Sequence, residues 1–220
     1  MTRKAYLSRR SLVVSSAAVL TAGLPIHSYA TDLCPAPGMP PGTCSAWVDG
    51  FSSQDALQKK SQWCWAACIS MICRHYGYPT SQERIVTDVY GGIVNMPGDD
   101  NVLKNELNKY WYSDDGRKFK ISADIFSPAL GSAGVSNQRV VEDLKNNKPL
   151  LNGSATHATV TVRVDYDPAG YNVQRVHVID PFPGVAPPPT HARFLNPSEM
   201  TAEAKGGSLK FLASITVSPA

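Results

Sequence analysis

The sequence predicts an α+β fold, with helices in the first half of the chain and an antiparallel sheet in the second. Three observations carry this. Residues 58–77 read as a helix, an Ala, Met and Ile run that is apolar nearly all round and is stopped by Gly77 and Pro79. Beyond Pro149 the texture changes to β-branched, alternating segments at 150–151, 158–165, 171–179 and 209–217. About 190 of the 220 residues follow an N-terminal leader, enough for one domain that buries about 70% of its unfolded surface. Helices first and sheet second place two halves side by side with a cleft between them.

Residues 1–30 have the make-up of an export signal. Arg3, Lys4, Arg9 and Arg10 form a basic start without an acid. The apolar run at 12–24 is shorter than the roughly 20 residues a bilayer span needs. Ser28-Tyr29-Ala30 supplies small residues for cleavage, so the mature chain is expected to begin near Thr31. Ser8-Arg9-Arg10-Ser11-Leu12 resembles a twin-arginine signal of a bacterium, although an ordinary secretory signal with two arginines has the same look. Both readings predict a secreted or periplasmic protein, and no later stretch could span a membrane.

The leader also holds the apparent basicity. The chain has 21 Lys and Arg against 18 Asp and Glu, and four of the bases lie in the first ten residues. The remaining 17 against 18 give no basic face for nucleic acid or anionic lipid.

Residues 31–50, rich in Pro and Gly, read as an extended lead-in strapped to a domain at 51–220. All five cysteines lie in the first 73 residues. With Cys64 kept free, four remain for pairing in an oxidising compartment. Cys68 and Cys73 are five apart on one helix, a rise of about 7.5 Å, beyond the roughly 7 Å limit for a bridged Cα pair. Either they bond outward to Cys34 and Cys44, or Cys34 and Cys44 close a small loop and the helix pair stays reduced. Cys64, Cys68, Cys73 and His75 point around a helix and contain no Cys-x-x-Cys, which argues against zinc and against a thioredoxin-like role. No metal or other cofactor is expected.

Within the long helix, Ser61 or Gln62 is expected at the N-cap, which puts Cys64 in the first turn. There the unpaired backbone N–H groups and the helix dipole favour a thiolate. Further helices are expected at 82–90, capped by Thr80 or Ser81 and ended by Gly91-Gly92, at 101–110 with Leu103, Leu107 and Tyr110 on one face, and at 137–146 with Ser136 as cap and Val140, Val141 and Leu144 inward. Residues 112–135 are mixed and give no clear element.

The strands at 158–165 and 171–179 flank Asp167-Pro168-Ala169-Gly170, a type I turn sequence. If Asp167 and Gly170 close that turn, His157 lies opposite Asp180 on one face, an imidazole beside a carboxylate at the open end of a hairpin. A bulge at Gly170 would slip the register by one and separate them. Asp180 on its own also suits a turn, since Pro181-Phe182-Pro183-Gly184 follows it.

Gln58, five intervening residues, Cys64 and then Trp65-Ala66-Ala67 resemble the Gln…Cys-Trp-Ala signature of papain-like cysteine proteases, especially their compact bacterial branch of secreted effectors. His157-Ala158 followed by Thr159-Val160 resembles the start of that family's catalytic-histidine strand, and Ile179-Asp180-Pro181 the Asp-Pro that closes the bacterial triad. The plant-type Cys-Gly-Ser-Cys-Trp run, an asparagine third member and a long pro-segment are missing. The resemblance covers about residues 50–217 and implies a papain-like fold, the Cys-bearing helical half packed against the sheet half.

It also implies roles. Cys64 attacks a carbonyl as thiolate, His157 takes and returns the proton, and Asp180 orients the imidazole. Gln58 offers its side-chain N–H₂ beside the Cys64 backbone N–H as an oxyanion hole, with Gln54 and Gln62 as competitors separated by the family spacing alone. His75, about 16 Å along the helix from Cys64, is out of reach as a base, whereas His191, in a second Thr-His-Ala, rivals His157. Trp63 and Trp65 read as core and cleft-wall packing. The expected activity is hydrolysis of a polypeptide substrate by a monomer. Acyl transfer or deamidation by the same residues, or a binding module on a retired protease fold, are the alternatives.

Overall fold

The computed structural model describes residues 31–133 and 135–220; the expected export signal at 1–30 lies outside them. The elements run β1 (Thr31–Leu33), β2 (Cys44–Trp47), α1 (Cys64–His75), α2 (Gln82–Tyr90), α3 (Asp100–Glu106), β3 (Tyr110–Tyr112), β4 (Lys118–Ser127), β5 (Ser132–Ala133), α4 (Asn137–Lys145), β6 (Leu150–Ser154), β7 (Ala158–Asp167), β8 (Asn172–Ile179), β9 (Ala192–Phe194), α5 (Pro197–Met200) and β10 (Leu209–Pro219). The architecture is α+β. One curled antiparallel sheet orders its strands β1-β2-β7-β6-β10-β4-β3, with β8 on the far edge of β7, β9 on β8 and β5 on β4.

Strand β7 is the hub. One edge pairs with β6 over 158–161 and with β2 over 163–166, and the other pairs with β8 along nearly its whole length. Strands β6 and β7 serve two cores, β6 because successive side chains point to opposite faces and β7 because the irregularity between Thr161 and Arg163 switches its inward face. Leu151 and Val160 join Trp65, Ile69 and Ile72 of α1 and Ile85 and Val86 of α2. Leu150 and Val164 join Val140, Val141 and Leu144 of α4. The lead-in enters the sheet through β2, and Cys34 and Cys44 are disulfide-bonded with Cα atoms 4.4 Å apart. Cys68 and Cys73 are reduced and buried, which selects the second of the two pairings the spacing allowed.

Helix α2 spans the expected residues, with Ser81 accepting from the Arg84 N–H and Gly91 closing the helix at φ 72°. Helix α4 starts on Ser136, whose Oγ accepts from the Arg139 N–H at 3.1 Å. Ser136→Ala removes that bond and should cost about 1 kcal/mol. In a domain of this size thermal denaturation should show Tm about 2–4 °C lower.

Three expectations need correction. The first helix, expected over 58–77, is shorter and runs Cys64–His75. The third helix ends at Glu106, not Tyr110, because Tyr110-Trp111-Tyr112 alternates exposed, buried, exposed as edge strand β3. Leu103 and Leu107 are buried as expected, while Tyr110 is exposed. The hairpin register is also different. Asp167 pairs with Asn172 rather than Gly170, so the turn holds four residues, with Tyr171 in the left-handed region at φ 52°. Two irregularities, between Thr161 and Arg163 and between Asp165 and Tyr166, then shift the pairing and shift it back. At the open end Val160 faces Ile179, two residues from the predicted register. A shift of two preserves the face, so His157 and Asp180 still emerge on the same side.

Candidate active site

Helix α1 begins at Cys64. Its N-cap is Trp63 rather than Ser61 or Gln62, with no side chain capping the first turn. The N–H groups of that turn therefore remain free of intrahelical partners around the Cys64 sulfur. The helix is held there by its own burial: every residue from Trp65 to Cys73 is in the core. The indoles of Trp63 and Trp65 donate to the carbonyls of Val94 and Met96 at 2.7 and 3.2 Å and so fix the 94–96 segment beside the helix start. Gly98 completes this packing, since a Cβ there would come within 2.7 Å of the Trp65 ring.

His157 immediately precedes β7 and Asp180 immediately follows β8. The hairpin thus brings both to the head of α1, which packs on β7 through Ala158 and Val160. His157 Nε2 lies 2.7 Å from Asp180 Oδ1. An ionised carboxylate only accepts, so Nε2 carries the hydrogen and Nδ1 is left as the acceptor on the side of the cleft that Cys64 also lines. Burial lowers the His157 pKa, but the interactions with Asp180 and Cys64 more than offset it and push it up to about 9. The Phe182 ring meets the imidazole edge-on, its centroid 6.0 Å away.

Asp180 is fully buried. Its Oδ1 also accepts from the Phe182 N–H at 2.9 Å, and its Oδ2 from Arg193 Nε at 2.6 Å. Burial alone would raise its pKa, yet the bonds from His157, the Phe182 N–H and Arg193 hold the carboxyl below its ordinary value. Cys64 and His157 line one cleft of about 470 Å³, walled by Ser61, Gln62 and Trp65 on one side and by 153–156 and Phe211 on another. A partly exposed thiol and an imidazole on one cleft, with a buried carboxylate behind the imidazole, have the layout that a nucleophile, its base and an orienting group require. The family model described as "Papain-like cysteine protease AvrRpt2" matches residues 46–196.

The chain belongs to that family.

This AvrRpt2-type papain-like family is one of cysteine-type peptidases. Among solved structures, that of UfSP from C. elegans aligns with a TM-score of 0.44 and 14% identity, covering 87% of this chain and 38% of that one. No curated protein matches.

Of the residues expected at the site of this papain-like protease, Cys64, His157 and Asp180 come together. Gln58 is nearby but differently employed. It is buried, unlike Gln54 and Gln62, and its backbone N–H donates to the Pro181 carbonyl at 2.9 Å. Both hydrogens of its Nε2 are taken, by the carbonyls of Lys60 at 2.9 Å and Ser61 at 2.8 Å, and Oε1 has no partner. It ties down the loop leading into α1 rather than facing the cleft, whose wall here is Ser61 and Gln62. His191 does not line the cleft; its carbonyl accepts from the Asp180 N–H at 2.8 Å. His75, at the far end of α1, bonds the Asn147 carbonyl, and burial lowers its pKa. Arg193 was not singled out in the sequence. It lies 13 residues past Asp180 on another strand, and no local pattern marks such a pairing.

Among the described residues no cluster of His, Cys, Asp and Glu is placed to hold a metal, and no helix is long and apolar enough to cross a membrane.

Proposed function

We propose that the chain is an exported peptidase that hydrolyses peptide bonds through an acyl-enzyme on Cys64, with His157 as proton carrier and Asp180 as the group that orients it. The observation that carries this is the His157 imidazole bonded to buried Asp180 at 2.7 Å, with Cys64 lining the same cleft as the imidazole. Proton transfer from Cys64 to Nδ1 gives a thiolate–imidazolium pair at a helix N-terminus, where both the dipole and the cation favour it. The thiolate attacks the substrate carbonyl. The imidazolium then protonates the leaving amine, and the neutral ring draws a proton from the water that releases the acid.

The developing oxyanion would be met by the Cys64 backbone N–H and by Gln58 Nε2. To do so Gln58 would have to turn toward the cleft and release one of its two carbonyl bonds for a charge-assisted one, which is about twice as strong. The papain-like arrangement, a Cys-bearing helical half against a sheet half, fits α1 packed on β7. We assign 51–220 to the peptidase domain, 31–50 to the lead-in and 1–30 to the signal. The Cys34–Cys44 disulfide suits an oxidising compartment outside the cytoplasm.

The test combines products with pH. Mass spectrometry of a denatured protein substrate should find new peptide termini; a one-dalton gain or a crosslink without new termini would replace hydrolysis with deamidation or acyl transfer. The catalytic pair needs a protonated imidazole. A pKa raised to about 9 means that the proton is held below that pH and lost above it. The alkaline limb of kcat/KM should therefore fall near pH 9, and a limb near 6.5, the ordinary histidine value, would contradict the pairing.

A further inference from the structure

Arg193 on β9 uses its guanidinium in two directions. Nε donates to Asp180 Oδ2 at 2.6 Å, while Nη1 and Nη2 grip Glu199 Oε2 and Oε1 at 2.9 and 2.7 Å. Only about a fifth of either side chain is exposed, 19% and 21%. Glu199 is itself fixed. Its Oε2 accepts from the Asn196 N–H at 2.9 Å and its N–H donates to Asn196 Oδ1 at 3.1 Å, a capping box at the start of α5. A planar fork held at both ends loses little freedom per bond made, which a lysine could not reproduce.

We propose that Arg193 and Glu199 are positioning residues of the peptidase: Arg193 holds Asp180 Oδ2 so that Oδ1 faces His157, and Glu199 aims and neutralises Arg193. The proposal rests on the reading of His157 and Asp180 as catalytic. It makes a row of alternating charge from the Cys64 thiolate through His157, Asp180 and Arg193 to Glu199. The other charges near His157 stand across or along the cleft: Asp99 and Asp100 opposite, and Lys210, which is already paired with Glu203.

Charge alternation gives the two members opposite signatures. Removing the Arg193 cation leaves the imidazolium facing a less compensated Asp180, so it keeps its proton to higher pH. Removing the Glu199 charge leaves Arg193 less compensated, so the imidazolium loses its proton at lower pH. A residue that merely supported the fold would lower the amount of active enzyme and leave the profile in place.

The experiment measures kcat/KM against pH for the mature protein and for Arg193→Met, Glu199→Gln and His157→Ala, with active sites counted by a thiol-directed epoxide. Per active site, Arg193→Met should lower kcat about tenfold or more. Its alkaline limb should move up by about 0.5–1 pH unit and that of Glu199→Gln down by a similar amount. If Arg193→Met does not fold, Glu199→Gln decides alone. A Glu199→Gln limb that coincides with the parent's, with His157→Ala inactive, overturns the positioning role and leaves the catalytic assignment standing. Activity retained by His157→Ala overturns both.

Discussion

Cys64→Ala should lose peptide hydrolysis by at least about ten-thousandfold, the scale seen when a nucleophile is taken from a unit that works together. What remains without it is substrate binding and oxyanion stabilisation, which hold the carbonyl but supply no attacking atom. No neighbour can substitute. Cys68, one turn further along α1, is fully buried, and burial, with Cys64 and Asp180 nearby, pushes its thiol well above the ordinary value. Cys73 is also buried, and its thiol is pushed up to about 12. Both remain protonated and shielded at neutral pH. The fold should survive, because Cys64 is only partly buried and alanine favours a helix. The change in stability should stay within about 1 kcal/mol. A thiol-directed epoxide followed by peptide mapping reads the same point: the label should sit on Cys64 in the parent and vanish in the variant. Turnover by the variant, or a label that stays, would remove Cys64 from the chemistry.

Much of the arrangement around that sulfur was legible because its determinants are local. Gly77 and Pro79 stop α1 and nine successive buried residues mark its body, but its start at Cys64 behind a Trp63 cap lies later than the expected 58–77 helix allowed. The meeting of His157 with Asp180 was legible for a different reason. Strand side chains alternate with period two, so a register wrong by two residues still predicts the right face. Strand β4 also carried a signal, since Lys118-Phe119-Lys120-Ile121 alternates exposed and buried, but most of its second half is only partly buried and blurs the pattern. Non-local features were not legible. Arg193 reaches Asp180 only because β9 lies on β8, with Ala192 opposite Ile179, a pairing that no spacing announces. The family spacing singled out Gln58 as a residue but said nothing of the two carbonyls that occupy its amide.

Asp180→Asn should lower kcat by about a thousand- to ten-thousandfold, and the geometry says why the loss exceeds that of one hydrogen bond. The buried carboxylate receives three donors: His157 Nε2 and the Phe182 N–H on Oδ1, and Arg193 Nε on Oδ2. An asparagine brings one acceptor oxygen and one N–H₂. If the N–H₂ faces His157, the imidazole must move its hydrogen to Nδ1, and that nitrogen can no longer take the proton of Cys64. If the oxygen faces His157, the N–H₂ confronts the Arg193 donor, and the cation loses one of its two carboxylate partners, Glu199 alone remaining. Breaking a buried pair from one side typically costs about 3–5 kcal/mol, so the variant should also unfold more easily. The sign of its pH response separates the two effects. Asp180 is held below its ordinary pKa, so its carboxylate stabilises the fold above about pH 4 and that contribution is lost as pH falls. The variant has no such contribution to lose and should show a flatter acid limb of stability. In activity, the lift that took His157 up to about 9 would largely disappear, drawing the alkaline limb toward about 6.5. Active-site counting keeps lost folding from being read as lost chemistry. A variant within tenfold of the parent in kcat, with its alkaline limb unmoved, would show that the imidazole takes neither its tautomer nor its charge from Asp180.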